Sequence, residues 1–492
     1  MRPYLVFDIG TSSAKVAICQ EDGKLKAKFH TSYAVSYPRL GFAEQDPSLW
    51  WNAIQRLCSE VWQVIKAGEI SCITVSGQAP SCVAVDKNGD AIRPAILWLD
   101  RRAQAQVNWL REHIGESVAV ERCSNTIDSY YGGVKWLWFL QKEPELFQQT
   151  WKILQANGFI INKLTGAAVI DPSHAGMCTP CYNLLSREWD DMLCQRMGID
   201  KTKLPTILPS NQIVGQVHSQ AARTTGIKAG TPVTCGGGDY ACACLGAGVI
   251  GKGAAAMMLG TAGNLLVPGM VHTDPRLINT VHLTGEGLSL GGVFAGGSVQ
   301  WFGDMLGVSE PDLFTVLDAE AANVPPGSDG LIFLPYLMGE RTPIWDAQAR
   351  GVFLGLSSSH RRGHLFRAVL EGVAYAYRQM LEILVEKGNA IQEVVAVNGG
   401  ARSALWRQIF ADVLQLPIRW RPESEGTLVG AAYLAALGIG DQSDFNGLAG
   451  WLEPTIDTTP TSSWQDHYLS QYEIYCQLYD RLRDFYPRLN RA

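Results

Sequence analysis

Residues 5–19 read LVFDIGTSSAKVAIC, a pattern that predicts two strands joined by a tight turn. The first apolar run ends at Asp8, and the turn contains the hydroxylated residues Thr11 and Ser12. Such a turn can direct backbone N–H groups at a phosphate, while the carboxylate at the strand end can hold a metal ion. A hairpin without any ligand has the same pattern, so the residues alone leave both interpretations open.

The pattern recurs in the second half of the chain. Residues 254–259 read AAAMML, Gly260 and Thr261 follow, and the apolar run LLV begins at residue 265. Two similar hairpins, one opening each half, indicate an internal repeat. Hairpins that face each other across a cleft can hold a nucleoside triphosphate between two domains.

A glycine turn near the middle of the chain presents a single carboxylate. Residues 231–235 read TPVTC, which is typical of a buried strand, and GGGDY follows at residues 236–240. Glycines let the backbone approach a ligand closely. A lone aspartate after glycines is also typical of a helix N-cap, so a catalytic role and a capping role for Asp239 both stay open.

A mixed aromatic and charged segment lies at a predicted strand-to-helix junction. Residues 95–102 read AILWLDRR and contain Trp98, Asp100 and Arg101. This combination suits a polyhydroxylated ligand, because an indole ring covers an apolar sugar face while charged groups bind hydroxyls. The start of a helix with a solvated charge cluster would have the same composition.

Another glycine turn ends a strand in the second half. Residues 394–403 read VVAVNGGARS, a strand that runs into Gly399 and Gly400 at the start of a helix. At such a position a backbone N–H can meet a phosphate, or a purine can lie flat on glycine.

Length and composition restrict the class of protein. A chain of 492 residues exceeds what one core normally covers, so we expect two large domains. The net charge of -6 argues against a nucleic-acid or anionic-membrane surface and favours a small-molecule partner. The early Asp8 and the lack of a long apolar run predict a cytoplasmic protein. We expect the cysteines, including Cys178 and Cys181, to be packing or surface thiols.

With these features, the chain resembles the FGGY family of carbohydrate kinases, and within that family the xylulokinases. Residues 351–356 read GVFLGL and residues 364–371, after a gap of seven, read HLFRAVLE. Together they match the second signature of the family. Residues 44–47, 334–343 and 399–403 are also similar to xylulokinase segments, and the resemblance runs nearly from end to end.

The resemblance implies an α/β fold with two ribonuclease-H-like domains of the actin/hexokinase type and a cleft between them. Residues 1–245 would carry the sugar site and residues 246–492 the nucleotide site. The implied activity is ATP-dependent phosphorylation of a ketopentose, with D-xylulose as the first candidate. The implied mechanism is in-line phosphoryl transfer with ATP and Mg²⁺.

The resemblance also implies roles for individual residues. Asp239 would be the general base on the sugar hydroxyl, and Asp8 would hold Mg²⁺ through water. The implied nucleotide contacts are Thr11, Ser12, Lys15, Gly260, Thr261, Gly296, Gln300, Gly399, Gly400 and Ala401. The implied sugar contacts are Gln78, Ala79, Pro80, Trp98, Asp100, Arg101, Asp239 and Tyr240.

One segment departs from the xylulokinase pattern. Ala79 and Pro80 stand where those enzymes carry Met-His, and neither side chain can donate a hydrogen bond. A site that recognises substrate hydroxyls by hydrogen bonding discriminates strongly between substrates, so this change can alter which substrate is accepted. The alternatives are a kinase of ribulose, a hexulose, gluconate or erythritol, or a non-catalytic sugar or nucleotide sensor. The sequence leaves the oligomeric state open, a homodimer included.

Overall fold

The computed structural model describes residues 2–271, 273–307, 312–422 and 425–489. Two mixed sheets of seven strands each organise the chain. In spatial order the first sheet contains Ile213–Gln216, Pro232–Thr234, Cys72–Gly77, Tyr4–Ile9, Ser13–Cys19 and Leu25–Ser32, and Gly237–Gly238 also pairs with Cys72–Gly77. The second sheet contains Ile278–Val281, Gly287–Val293, Gly263–Gly269, Ala254–Leu259, Glu393–Val397, Ile418–Trp420 and Ile456–Thr458.

The two sheets share one topology. In each, a hairpin continues into a third antiparallel strand, and two parallel strands extend the other side of the hairpin's first strand. The first hairpin joins Tyr4–Ile9 to Ser13–Cys19, and the second hairpin joins Ala254–Leu259 to Gly263–Gly269. The internal repeat and the two ribonuclease-H-like domains expected from the sequence are therefore confirmed.

Helices cover both faces of the sheets. In the first half they are Pro47–Val61, Gln104–His113, Glu116–Cys123, Gly132–Lys142, Pro144–Gln149, Ala156–Thr165, Pro172–Gly176, Asp191–Met197, Ser219–Thr225 and Asp239–Gly246. In the second half they are Gly296–Met305, Leu313–Ala322, Arg362–Glu386, Ala404–Leu414, Gly426–Ile439, Gln465–Leu482 and Tyr486–Leu489. Short strand pairs complete the fold at Glu44–Gln45 with Ala95–Ile96, Val83–Val85 with Lys152–Leu154, Val169–Ile170 with Thr206–Ile207, Tyr182–Asn183 with Glu188–Trp189, and Ile332–Leu334 with Val352–Leu354.

The central strands are explained by their composition. Every residue of Tyr4–Ile9 is buried, as an apolar strand covered by helices on both faces should be. Helix Pro47–Val61 begins where the Asp46 carboxylate accepts a hydrogen bond from the Ser48 N–H, at 2.9 Å, with proline in the first helical position. Cys178 and Cys181 are free and buried, so of the two expected environments, packing or surface thiols, they are in the packed one.

Helix Gly426–Ile439 departs from the order of the chain. In sequence it lies between two strands of the second sheet, Ile418–Trp420 and Ile456–Thr458. It nevertheless packs on strands Cys72–Gly77 and Tyr4–Ile9 of the first sheet and on helix Asp239–Gly246. The contact is close, because a Cβ on Gly430 would lie 2.0 Å from the Cys242 carbonyl oxygen. The last helices of the chain therefore do not all belong to one half. Within the described residues, no helix has both the length and the apolar character needed to cross a membrane.

Candidate active site

A cleft of about 1690 Å³ lies between the two halves of the protein. Both hairpin turns open into it, one from each sheet. From the first half the cleft is lined by residues that include Asp8, Thr11, Ser12, Lys15, Ala79, Trp98, Arg101, Asp128, Tyr130, Asp239 and Tyr240. From the second half it is lined by residues that include Thr261, Asn264, Glu340, Arg341, Trp345, Gly399, Trp420 and Glu425.

The backbone of a glycine turn places Asp239 in the lining of this cleft. Gly236 has φ of 72°, and a Cβ there would lie 1.9 Å from the Val75 carbonyl oxygen, so only glycine fits the turn. The glycine turn thus serves close packing on the neighbouring strand. Helix Asp239–Gly246 then begins, and Asp239 Oδ1 accepts a hydrogen bond from the Tyr240 N–H at 2.7 Å.

The surroundings of Asp239 favour its protonated form. Burial raises its pKa most, the nearby Asp8 carboxylate adds to this, and the pKa reaches about 7. The Tyr240 N–H, His174 and Lys15 act in the opposite direction without cancelling the shift. A carboxyl group that titrates near neutral pH can accept a proton and release it again.

The other carboxylate, Asp8, is fixed by its neighbours on both sides. In the sheet it pairs with Lys15 on one strand and Ser76 on the other. Ser76 Oγ donates to Asp8 Oδ1 at 2.7 Å, and Lys15 Nζ lies 4.0 Å from Asp8 Oδ2. Burial raises the pKa of Asp8 in spite of these partners, and the charge of Glu425 raises it further. A cation bound beside Asp8 would stabilise the charged carboxylates of Asp8 and Glu425.

A buried ion pair lies behind Asp239. His174 Nδ1 is 2.5 Å from Asp171 Oδ2, and both side chains are fully buried. Burial alone would lower the pKa of His174, but the Asp171 carboxylate raises it overall. Ser173, whose hydroxyl is bonded to Asp171, accepts a hydrogen bond from the Gly238 N–H at 3.0 Å. The pair is therefore connected to the backbone that positions Asp239.

Aromatic and charged side chains form the end of the cleft beside Asp239, which we call the sugar end. Trp98 Nε1 donates to Thr11 Oγ1 at 2.9 Å, which ties the indole to the first hairpin turn. Arg101 Nη1 donates to Asp128 Oδ1 at 2.7 Å. Tyr130 is buried next to Asp128, whose Oδ1 accepts from the Tyr130 N–H at 2.7 Å.

The nucleotide residues that the resemblance implies are divided between the two hairpins. Thr11, Ser12 and Lys15 line the cleft at the first hairpin, and the glycines, Thr261 and Ala401 lie around the second hairpin turn. The Gly296 N–H donates to the Gly260 carbonyl at 2.8 Å, and the Gly297 N–H donates to the Thr261 carbonyl at 3.0 Å. Thr261 and Gly399 line the cleft, whereas Gly260, Gly296, Gly400 and Ala401 are not among its lining residues. Gly400 packs closely, because a Cβ there would lie 2.7 Å from the Trp406 ring, and Ala401 is buried beside it.

Several residues predicted to contact a ligand do not line the cleft in this structure. Asp100 is buried and binds Arg102 through both carboxylate oxygens, and it also accepts from the Ala43 N–H at 2.6 Å. Gln78 Nε2 donates to the Gly10 carbonyl at 3.3 Å, so it supports the first hairpin turn. Gln300 is exposed and bonded to Asp304 at 2.7 Å. Pro80 is not among the lining residues, although its neighbour Ala79 is.

The structure also brings residues to the sugar end that the sequence analysis did not single out as site residues. They are Asp128, Tyr130, Arg341 and Trp345. Arg341 belongs to residues 334–343, which were noted for their resemblance without any role. Trp345 has φ of 49°, an uncommon conformation for a bulky residue that is typical of functional sites.

Comparisons with known proteins identify the family. Residues 3–246 match the N-terminal domain model of the FGGY family of carbohydrate kinases, and residues 249–439 match its C-terminal domain model. The xylulose kinase of Staphylococcus xylosus is 30% identical over 484 residues, which are 96% of this chain and 99% of that protein.

Solved structures agree. The xylulose kinase from Rhodospirillum rubrum superimposes with a TM-score of 0.90 at 32% identity and covers 99% of this chain and 100% of its own. The gluconate kinase from Lactobacillus acidophilus gives a TM-score of 0.92 at 26% identity, with 99% and 100% coverage. The chain belongs to the FGGY family of carbohydrate kinases, and it is an ATP-dependent kinase of a small sugar substrate.

Proposed function

We propose that the protein phosphorylates a ketopentose, D-xylulose to xylulose 5-phosphate, with Asp239 as the general base. The observation that supports this most directly is that Asp239, with a pKa of about 7, lines the same cleft as residues of both hairpin turns. Relatives named xylulose kinases support the choice of sugar. We place the reaction in the cytoplasm, where ATP is available, and we leave a homodimer as an open possibility.

In this mechanism the two hairpins position the reactants. The sugar lies against Trp98 and Arg101 and presents one hydroxyl to Asp239. The turns that contain Thr11 and Thr261 direct backbone N–H groups at the phosphates from opposite sides, and Lys15 neutralises charge on the transferred group. Phosphoryl transfer needs little covalent assistance, so positioning and charge neutralisation account for most of the rate enhancement. Asp239 accepts the proton of the attacking hydroxyl.

A magnesium ion fits the charges around Asp8. Asp8 and Glu425 line the cleft, and burial keeps the pKa of Asp8 raised although Lys15 lies close. Among the described residues, no cluster of three metal-ligating side chains occurs. Mg²⁺ typically takes one or two carboxylates and completes its shell with phosphate and water, so Asp8 would be sufficient to hold it. When bound, the ion would neutralise phosphate charge.

The proposal is tested by measuring ADP release with a panel of sugars and sugar derivatives. We expect turnover with D-xylulose, and we expect Asp239→Asn to lower kcat by about 10²- to 10⁴-fold, the usual loss for a general base. Nucleotide binding should persist in the variant, which calorimetry with an ATP analogue checks. Comparable turnover by the variant would show that the base is misassigned. A non-catalytic sensor would bind sugar without releasing ADP.

Phosphorylation of gluconate is the second candidate. It is favoured by the structural likeness to a gluconate kinase and by the small side chain of Ala79 in the cleft, which leaves room for another recognition contact. Turnover of gluconate with none of D-xylulose would replace the first proposal and would leave the role of Asp239 unchanged.

A further inference from the structure

Arg341 extends from the second half of the chain into the sugar end of the cleft. Its guanidinium carbon lies 5.6 Å from the centre of the Trp98 ring and 5.5 Å from that of Tyr130. Both rings belong to the first half of the chain. Within the part of the chain that the structure describes, its guanidinium makes neither an ion pair nor a hydrogen bond, although it contacts the two rings.

The loop that carries Arg341 is held in place without a ligand. Thr342 Oγ1 accepts from the Gly292 N–H at 2.5 Å and donates to the Gly292 carbonyl at 3.2 Å. The Glu340 N–H donates to the Asp346 carbonyl at 2.8 Å, and the Asp346 N–H returns a bond of 2.9 Å to the Glu340 carbonyl. The guanidinium is therefore presented from a fixed backbone, which reduces the entropy lost when a ligand binds.

The charges at the sugar end do not balance around Arg341. Asp128 is bonded to Arg101, and burial together with the charge of Arg341 lowers the pKa of Arg101. Glu340 is adjacent, but burial raises its pKa to about 8, so its carboxyl group is mostly protonated at neutral pH. Among the described residues, no anion is therefore bonded to the guanidinium of Arg341. An unpaired, partly buried cation costs free energy unless a ligand supplies the acceptor.

We propose that Arg341 is a specificity-determining residue that hydrogen-bonds a carbonyl or carboxylate oxygen of the sugar substrate. This oxygen lies at the end of the substrate away from the hydroxyl presented to Asp239. The planar fork of a guanidinium suits two neighbouring oxygens, such as a carboxylate or a carbonyl with its adjacent hydroxyl. The inference rests on the proposed function only in taking Asp239 to face the reacting hydroxyl.

The test compares Arg341→Leu and Arg341→Lys with the wild type on D-xylulose, gluconate and xylitol. Xylitol has neither a carbonyl nor a carboxylate, so it serves as the reference compound. If the enzyme does not phosphorylate xylitol, its binding is measured by thermal shift. Arg223→Leu is the matched control, because it removes the same charge from an exposed position outside the cleft.

We expect Arg341→Leu to lower kcat/KM for the accepted oxo or carboxylate compound about 10- to 100-fold, mainly through KM, because a hydrogen bond to a charged group is lost. Binding of xylitol should change less than about threefold, since it lacks the acceptor. Arg341→Lys should recover part of the loss, because it keeps the charge without the fork. A larger effect on gluconate identifies a carboxylate as the partner, and a larger effect on xylulose identifies a carbonyl.

An equal loss on xylitol and on the other two compounds, or no loss at all, would overturn the inference. If the wild type phosphorylates none of the three, the proposed function fails, and thermal shift with each compound alone then decides the role of Arg341. A compound that stabilises the wild type but not Arg341→Leu supports that role even then. If no compound stabilises the wild type, both proposals are contradicted.

Discussion

At the scale of single residues, the structure separates two roles that the sequence left open for Asp239. An N-cap side chain accepts hydrogen bonds from the second or third N–H of the helix. Here Gly238 occupies the cap position. Among the residues that the structure describes, no side chain caps the helix, and the one hydrogen bond of the Asp239 carboxylate is to the N–H of the next residue. The carboxylate is therefore free to face the cleft, which the capping interpretation does not explain.

The pKa of Asp239 predicts how activity depends on pH. Because burial and Asp8 raise that pKa to about 7, protonated Asp239 predominates below this pH and cannot accept a proton. We expect kcat/KM for the sugar to fall about tenfold per unit as pH decreases below about 7. A profile measured from pH 5.5 to 9 at saturating nucleotide checks this. A flat profile across neutrality would contradict the assignment.

Substitution of His174 should shift the pH profile of kcat/KM. Its charge lowers the pKa of Asp239, so His174→Gln should shift the acidic limb to higher pH. Ser173→Ala is the control, because it removes the hydrogen bond to the Gly238 N–H and leaves the Asp171–His174 pair in place. That control should lower kcat without moving the limb. Identical limbs in His174→Gln and the wild type would limit His174 to a structural role.

At the scale of elements, the second hairpin turn and the start of helix Gly296–Met305 are joined by backbone hydrogen bonds, and together they form the proposed nucleotide site. A Cβ on Gly296 would lie 2.6 Å from the Gly260 carbonyl oxygen, so Gly296→Ala must push the helix away from the turn. Overpacking of this kind typically costs about 1–3 kcal/mol, and we expect KM for ATP to rise about tenfold while KM for the sugar stays unchanged.

The control for that prediction is Gly251→Ala, because a Cβ there meets no atom within 4 Å. Steady-state kinetics with either substrate varied give the two KM values. Equal changes in both variants would show that contact with the Gly260 carbonyl does not govern ATP binding.

Local elements were predictable from sequence because their signals are local. The hairpins follow from apolar runs around small residues, and the helix at Asp46 and Pro47 follows from its cap. Contacts between distant segments were not predictable in this way. The spacing of Ile153, Phe159, Ile160 and Leu164 predicts a single helix through these residues. Only the last three lie in a helix, whereas Ile153 lies in a strand that pairs with Val83–Val85, because tertiary pairing overrides the pattern.

The candidate site shows the same limit. Asp100 and Arg101 are adjacent in one charged segment of the sequence. Asp100 is bonded to Arg102, whereas Arg101 lines the cleft. The direction of a side chain depends on partners elsewhere in the chain. Arg341 was part of a recognised segment, but only the fold shows that it reaches Trp98 and Tyr130 across the cleft.

At the scale of the whole molecule, the proposed domain boundary between residues 245 and 246 separates the two sheets. It does not separate the helices that pack on them, because a helix of the second half packs on the first sheet. Residues 425–452 return to the first sheet, where Tyr4 Oη donates to Asp441 Oδ2 at 2.7 Å and the Tyr4 ring stacks on Trp451 at 6.0 Å. The sequence does not predict this contact. The small apolar residues of helix Gly426–Ile439 indicate that the helix is buried, but they do not indicate which sheet it packs on. The two halves are therefore joined through a shared core.

This packing predicts that residues 1–245 alone do not form a stable domain. Without helix Gly426–Ile439, one face of the apolar strands Tyr4–Ile9 and Cys72–Gly77 is exposed, and we expect non-cooperative unfolding in urea. Joining residues 425–452 to residues 1–247 through a flexible linker should restore a single cooperative transition. The same fusion with Gly430→Val should not, because a Cβ there would lie 2.0 Å from the Cys242 carbonyl oxygen and the helix could not dock. Cooperative unfolding of residues 1–245 by themselves would show that the first sheet holds its core without the returning helix.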